Sequence, residues 1–155
     1  MHTSRQVIQF YAVGEPFGEF SNFAPFPIRL RGREWPTTEH YFQAQKFAGT
    51  DREHKIRKAR TPGVAARLGR DRAVSLRKDW EAVKLGVMRE AVLAKFTQHS
   101  ELRGKLLATG DAVLVEHTAS DQFWGDGGDG AGENWLGRIL MEVRSGVRAG
   151  LKTPP

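Results

Sequence analysis

The chain of 155 residues carries 24 Lys and Arg against 18 Asp and Glu, a formal net charge of +6, and has no cysteine. That length suits one domain with a sizeable core, and the missing thiols exclude disulfides, thiolate metal sites and a cysteine nucleophile. The start of the chain lacks a cationic stretch followed by an apolar run, and no apolar stretch is long enough to cross a bilayer, so a cytoplasmic enzyme or binding protein without a membrane partner is expected.

Residues 7–12 predict a strand with Ile8, Phe10 and Ala12 on one side. Residues 14–27, GEPFGEFSNFAPFP, show no clean apolar period and predict a packed loop. In it Ser21 and Asn22 lie between Phe20 and Phe23, which suits either closure over a flat ligand or a plug for the core. Residues 28–30 and 34–35 predict a hairpin turning at Arg31, Gly32 and Arg33. Pro36 then disfavours helix at Trp35, and Thr37 or Thr38 offers a capping hydroxyl to a helix over EHYFQAQKF. Glu39, Gln43 and Lys46 recur at spacings of four and three, so they share a face, while Tyr41, Phe42, Ala44 and Phe47 crowd the adjoining faces. A carboxylate, an amide and an amine in line among aromatics suit a reactive site; the same pattern fits an ordinary amphipathic helix.

Asp51 predicts the cap of a short basic helix ending near Ala59. Thr61 and Pro62 restart a helix, hydroxyl cap then proline, that runs through Val64, Ala65 and Leu68 to Gly69. Residues 52–78 hold ten Lys or Arg against Glu53 and Asp71, a local charge of +8 that leaves −2 for the remainder. Such a segment suits a phosphate or a nucleic-acid backbone, and equally a solvated helical face. Asp79 predicts the cap of the longest helix, residues 80 to about 98, whose two apolar stripes imply burial on both sides. A helix from Ser100 to Gly110 follows, then a strand over residues 112–116 without a polar face.

Residues 121–132, DQFWGDGGDGAG, place an aromatic pair before a glycine-rich run. Gly125, Gly127 and Gly130 match the dinucleotide-binding fingerprint in spacing, but only about one helix of chain remains, so no βαβ unit can be completed. What survives is a glycine turn feeding a helix N-terminus, either a contact for phosphate or ribose or merely a tight turn. The aspartates do not close a calcium loop, and His2, His40, His54, His99 and His117 lack the paired spacing of a zinc site. No serine sits in a nucleophile elbow, so neither a metal nor a hydrolase triad is expected. The last helix starts near Glu133 or Asn134, with Leu136, Ile139, Leu140, Val143 and Val147 inward and a frayed tail from 149 to 155. No repeat or linker intervenes, which predicts one α+β domain over residues 1–155, mostly helical, with a small sheet from the two strands and the hairpin.

The remaining chemistry is that of carboxylates and an amine. Packed among aromatics, Lys46 is desolvated, which favours a neutral nucleophilic amine. Glu39 and Asp121 are placed to move protons or to stabilise positive charge on a sugar carbon. Trp80, Trp124 and the loop from Phe20 to Phe23 offer faces for a planar base, although tryptophans also serve as core.

The runs GEFSNFAPFP (18–27), WPTTEHYFQAQKF (35–47), VAARLGRDR (64–72), RKDWEAVK (77–84) and DQFWGDGGDGAGENWLG (121–137) resemble the NADAR superfamily, and within it the bacterial YbiA-like N-glycosidases. The resemblance spans nearly the whole chain in order. It implies hydrolysis of N-glycosidic bonds without a metal or nicotinamide cofactor. The implied substrates are the ribosylamino-pyrimidine 5′-phosphate intermediates of riboflavin biosynthesis, with release of ribose 5-phosphate. Related members remove ADP-ribose from guanine bases, which makes ADP-ribosylated nucleic acid the alternative partner. By motif position Glu39, Trp80, Asp121 and Trp124 match residues linked to activity, and Lys46 matches a lysine proposed to form a Schiff base with the released sugar. The expected site therefore has Lys46, Glu39 and Asp121 as catalytic groups and Trp80, Trp124, Phe20, Asn22, Gln43 and Gly125 around the substrate. Arg67, Arg70 and Arg72 are expected to hold its phosphate. The competing expectation is a nucleotide- or nucleic-acid-binding module without turnover, carried by residues 52–78.

Overall fold

A computed structural model describes residues 5–152; His2 and residues 153–155 of the tail lie outside them. The described chain forms ten elements in the order β1 (Val7–Phe10), β2 (Ile28–Leu30), β3 (Arg33–Trp35), α1 (Thr38–Gln45), α2 (Asp51–Arg57), α3 (Pro62–Arg70), α4 (Trp80–Gln98), α5 (Ser100–Ala108), β4 (Val113–Glu116) and α6 (Trp135–Arg148), plus a single 3-10 turn at Gly18–Phe20. This is the expected mostly helical α+β architecture. Its strands form two separate pairs. β1 lies parallel to β4, with Val7 opposite Val113 and Phe10 opposite Glu116, while β2 and β3 form an antiparallel hairpin.

The hairpin differs from the expectation in its turn. Leu30 pairs with Arg33, so the loop is only Arg31 and Gly32, with φ of 55° and 72°. Positive φ at both central residues is the pattern of a type I′ turn, which matches the twist of the flanking strands. Arg31 accepts the left-handed conformation that the hairpin requires.

Local capping chemistry sets most helix ends, with two corrections. The Thr37 hydroxyl accepts from the His40 N–H at 3.1 Å, and the Thr61 hydroxyl accepts from Val64 N–H at 3.1 Å ahead of Pro62. Asp51 is not a cap but the first residue of α2. Thr50 stands at the cap position, and Glu53 reaches back to the Gly49 N–H at 3.1 Å. Asp79 occupies the cap position of α4 without capping it, because Arg77 takes both its carboxylate oxygens at 2.6 and 3.0 Å. At the far end, Gly150 turns with φ of 92° and the Leu151 N–H returns to the Gly146 carbonyl at 2.8 Å, closing α6.

α1 is the hub of the packing. All eight of its residues are buried, because α2, α3 and α4 pack around it. α4, buried on two faces as its stripes imply, also touches α5, α6 and β2. One apolar cluster unites Ile8, Trp35, Tyr41, Phe96, Leu114 and Leu140 from six of these elements. A helix this polar and this buried depends on its caps. The Thr37 hydroxyl also pairs with His40 Nδ1 at 2.8 Å, while His40 Nε2 donates to the Ala59 carbonyl at 3.0 Å. Since a carbonyl only accepts, Nε2 carries the hydrogen, Nδ1 accepts from Thr37, and the buried ring is neutral; burial lowers its pKa accordingly. Thr37→Ala is expected to lower the unfolding free energy by about 1–2 kcal/mol, read from a urea midpoint at unchanged slope.

Candidate active site

The face of α1 that carries Glu39, Gln43 and Lys46 forms the floor of a cavity of about 640 Å³. Its walls come from four distant segments. Tyr11, Ala12 and Val13 follow β1, and Glu116, Thr118, Ser120, Asp121 and Trp124 follow β4. The cavity therefore opens beyond the carboxyl ends of the parallel pair, where the chain leaves both strands and makes room for a ligand. Ser21, Asn22 and Phe23 form a third wall, Arg70 and Arg72 a fourth, and Met88 closes the back.

Hydrogen bonds tie these walls to α1. The Glu39 N–H donates to the Asn22 carbonyl at 3.2 Å, and the Thr38 hydroxyl donates to Asn22 Oδ1 at 2.8 Å. The Arg77 N–H reaches the Lys46 carbonyl at 2.9 Å, which holds the basic segment against the end of the helix. Asp121 organises the glycine loop. Its Oδ1 accepts from the N–H groups of Phe123 and Trp124 at 2.9 and 2.8 Å, and its carbonyl accepts from Gly127. Trp124 is thereby set edge-on to Phe42, with ring centroids 5.2 Å apart. Tyr11, Val13 and Phe23 are large apolar side chains left exposed, and all three line this cavity.

Burial dominates the electrostatics. Lys46 is 7% exposed; its Nζ lies 5.7 and 5.9 Å from the ring centres of Phe42 and Trp80 and 3.4 Å from the Gly69 carbonyl. Burial first, and then the Arg72 guanidinium, bring its pKa down to about 8 against the pull of Glu39. Roughly one-tenth of such an amine is neutral at pH 7. Burial likewise raises the Glu39 carboxyl, opposed by the Gln43 amide at 2.8 Å and by Arg70 and Lys46, with Asp121 adding to the rise. Glu116 is pushed up to about 7 by burial and then by the negative charges of Asp121, Glu39 and Asp126. These acids are close enough to disturb one another, yet among the described residues no three His, Asp or Glu are gathered to hold a metal ion.

Of the residues expected from sequence, Lys46, Glu39, Asp121, Trp124, Asn22, Gln43, Arg70 and Arg72 line this one cavity. Four do not. Trp80 is 5% exposed and packs behind Phe42 and Lys46, where it shapes the amine's surroundings and offers no free face. Phe20 is core, stacked edge-on against Phe10 and Phe96. Gly125 lies beneath the loop, so close to Glu116 and Thr118 that a Cβ there would strike both. Arg67 lines a separate, more open groove with Gly63, Leu68, Arg70 and Asp71. Sequence reasoning missed Glu116, Ser120 and the apolar rim of Tyr11 and Val13. The one signal for Glu116 was an acid closing a strand that otherwise has no polar face.

The NADAR domain model matches residues 9–148. The chain is 57% identical over 138 residues, 89% of this chain and 86% of the other, to N-glycosidase YbiA of Escherichia coli (strain K12). It is 48% identical over 139 residues to the riboflavin biosynthesis protein VVA0006 of Vibrio vulnificus (strain YJ016); the match covers 90% of this chain and 38% of that longer protein. The NMR structure of the Escherichia coli protein YbiA superposes with a TM-score of 0.88 at 53% identity, covering 96% of this chain and 89% of the other.

Proposed function

The chain belongs to the NADAR family, and from that membership we propose that it is an N-glycosidase acting on ribosylamino-pyrimidine 5′-phosphates, releasing the pyrimidine amine and ribose 5-phosphate. The observation that carries this reading is a depressed lysine amine and several carboxyls in one cavity with Trp124 and two arginines. The riboflavin-related name of the Vibrio relative supports the choice of substrate.

Each part of such a substrate meets complementary groups. Arg70 and Arg72 take the 5′-phosphate, and Trp124 with the apolar rim takes the flat aglycone. Neutral Lys46 attacks the anomeric carbon: its Nζ lone pair forms the new C–N bond while the bond to the pyrimidine nitrogen breaks. A cleft carboxyl protonates the departing nitrogen. The glycosyl-lysine then opens its sugar ring to an imine, water adds to the carbon, and Lys46 leaves again as the amine. One water is consumed and no redox partner is needed.

The assay is incubation with a ribosylamino-pyrimidine 5′-phosphate and detection of ribose 5-phosphate; no release would sink the reading. Trp124→Ala is expected to raise KM by roughly tenfold or more, since stacking on an aromatic ring contributes about 1–3 kcal/mol per base, with a smaller change in kcat. A second reading, removal of ADP-ribose from guanine, draws on one observation: Arg70 lines both the cavity and the groove of Arg67, so a second phosphate would find a seat there. Running both substrates side by side decides between them.

A further inference from the structure

Three carboxyls face the cavity, and two are already engaged. Glu39 accepts from the Gln43 amide, and Asp121 is occupied in holding the Phe123 and Trp124 amides. Among the described residues, no hydrogen bond or ion pair engages the Glu116 carboxyl, although its side chain lines the same cavity. Its backbone, by contrast, is fixed on several sides. Glu116 pairs with Phe10 in the parallel ladder, its N–H donates to Asn134 Oδ1 at 3.0 Å, and its carbonyl accepts from the Asp126 N–H at 2.9 Å. A carboxyl on a rigid strand end, with no bond to give up, is better placed to deliver a proton than one already committed.

We propose that Glu116 is a catalytic residue, the general acid that protonates the nitrogen leaving the sugar. The inference rests on the N-glycosidase reading. As the C–N bond breaks, the Glu116 proton passes to the departing amine; the proton that Lys46 sheds after attaching to the sugar restores the carboxyl. Asp121 then acts as a positioning residue that aims Trp124. The charged groups sharing the cavity with Glu116 are Glu39 and Lys46 on α1, Arg70 and Arg72 at the end of α3, and Asp121, with Asp126 acting from the buried base of the glycine loop. Together with burial, the three acids keep Glu116 protonated up to about 7, which leaves it a proton to give near neutrality.

The test is the pH profile of kcat/KM for the wild type and for Glu116→Gln on a ribosylamino-pyrimidine 5′-phosphate. The active form carries a neutral Lys46, pKa about 8, and a protonated Glu116, pKa about 7. For that reversed order, the wild-type profile climbs to about pH 7, is flat to about 8 and falls above it. Glu116→Gln is expected to lower kcat by about 100-fold, to keep climbing to about pH 8 and to lose the alkaline fall. A kcat retained within about threefold, or an alkaline fall that survives in the variant, overturns the proposal. Should the variant not fold, carbon-13 titration of the wild-type Glu116 carboxyl decides: a midpoint near 7 supports the assignment, and one in the ordinary carboxylate range overturns it. A wild type that releases no sugar phosphate refutes the glycosidase reading itself. An active wild type with an unchanged Glu116→Gln refutes only the acid.

Discussion

Lys46→Met is expected to be almost inactive and yet more stable than the wild type. Turnover should fall by at least about 100-fold, because the variant has no amine to attack the anomeric carbon. Stability should rise because the folded protein holds this ammonium in a place that resists charge, its pKa drawn from 10.5 to about 8 by burial and by Arg72. At pH 7 the folded state therefore bears a penalty of roughly 2 kcal/mol once solvent screening and the long Gly69 contact are allowed for, and methionine removes it. Above pH 10.5 the amine is neutral in both states and the gain disappears. Lys46→Arg separates the two roles a cation could have here. Arginine keeps a positive charge for phosphate but does not lose its proton, so it rescues binding and leaves kcat as low as methionine does. Borohydride reduction during turnover should fix the sugar phosphate on Lys46 of the wild type. A wild-type protein that gives no adduct, or a Lys46→Arg variant that turns over, ends the covalent route.

The same lysine shows how far local sequence reaches into the site. Glu39, Gln43 and Lys46 could be aligned from spacing alone, since one helix holds all three and Thr37 marks where it begins. The start of α3 was equally legible, because Thr61 and Pro62 perform their roles within a single turn. Asp51 and Asp79 look like caps by the same logic. Each fails because another group intervenes: Arg77 takes the Asp79 carboxylate, and Thr50 takes the position ahead of Asp51. Trp80 shows a larger gap. Its indole stands beside Lys46, but it backs the amine and does not face the cavity, and no periodicity reveals which side of a two-faced helix meets the ligand. Glu116 left only a faint mark in the sequence, for the opposite reason. Its place in the cavity wall comes from a parallel pairing of β4 with β1, a hundred residues away, and sequence spacing carries no trace of that partner.

Lys95→Met is expected to cross the wild type in stability as pH rises, more stable near pH 6 and less stable above about pH 10.5. Lys95 stands between the stripes of α4 and is 1% exposed, with the Phe26 and Phe96 ring centres 5.8 and 5.5 Å from its Nζ. Burial, only partly offset by Glu19, brings its pKa from 10.5 down to about 7. The folded state thus binds this proton more weakly than the unfolded chain does. The full penalty is present below about pH 7 and is relieved as pH climbs towards 10.5, at about 1.4 kcal/mol per pH unit and up to about 5 kcal/mol in all. Methionine bears no such penalty, but it removes one of the two hydrogen bonds to the Ser21 carbonyl, which accepts from Nζ at 2.8 Å and from the Ala24 N–H at 3.1 Å, a loss of about 0.5–1.5 kcal/mol. At low pH the relief exceeds that loss. At high pH the neutral amine still donates to Ser21, so only the loss remains. Lys46 gives the wild type and the variant the same background rise between about pH 8 and 10.5, so the difference between their urea midpoints isolates Lys95. A difference that stays constant from pH 6 to pH 10 would mean that the charge is not buried as the geometry requires. Ser21 and Asn22 wall the cavity, so the same buried amine whose charge weakens the fold near neutrality also fixes one side of the site through its bond to Ser21. Lys95→Met should accordingly raise KM even under conditions where it raises stability.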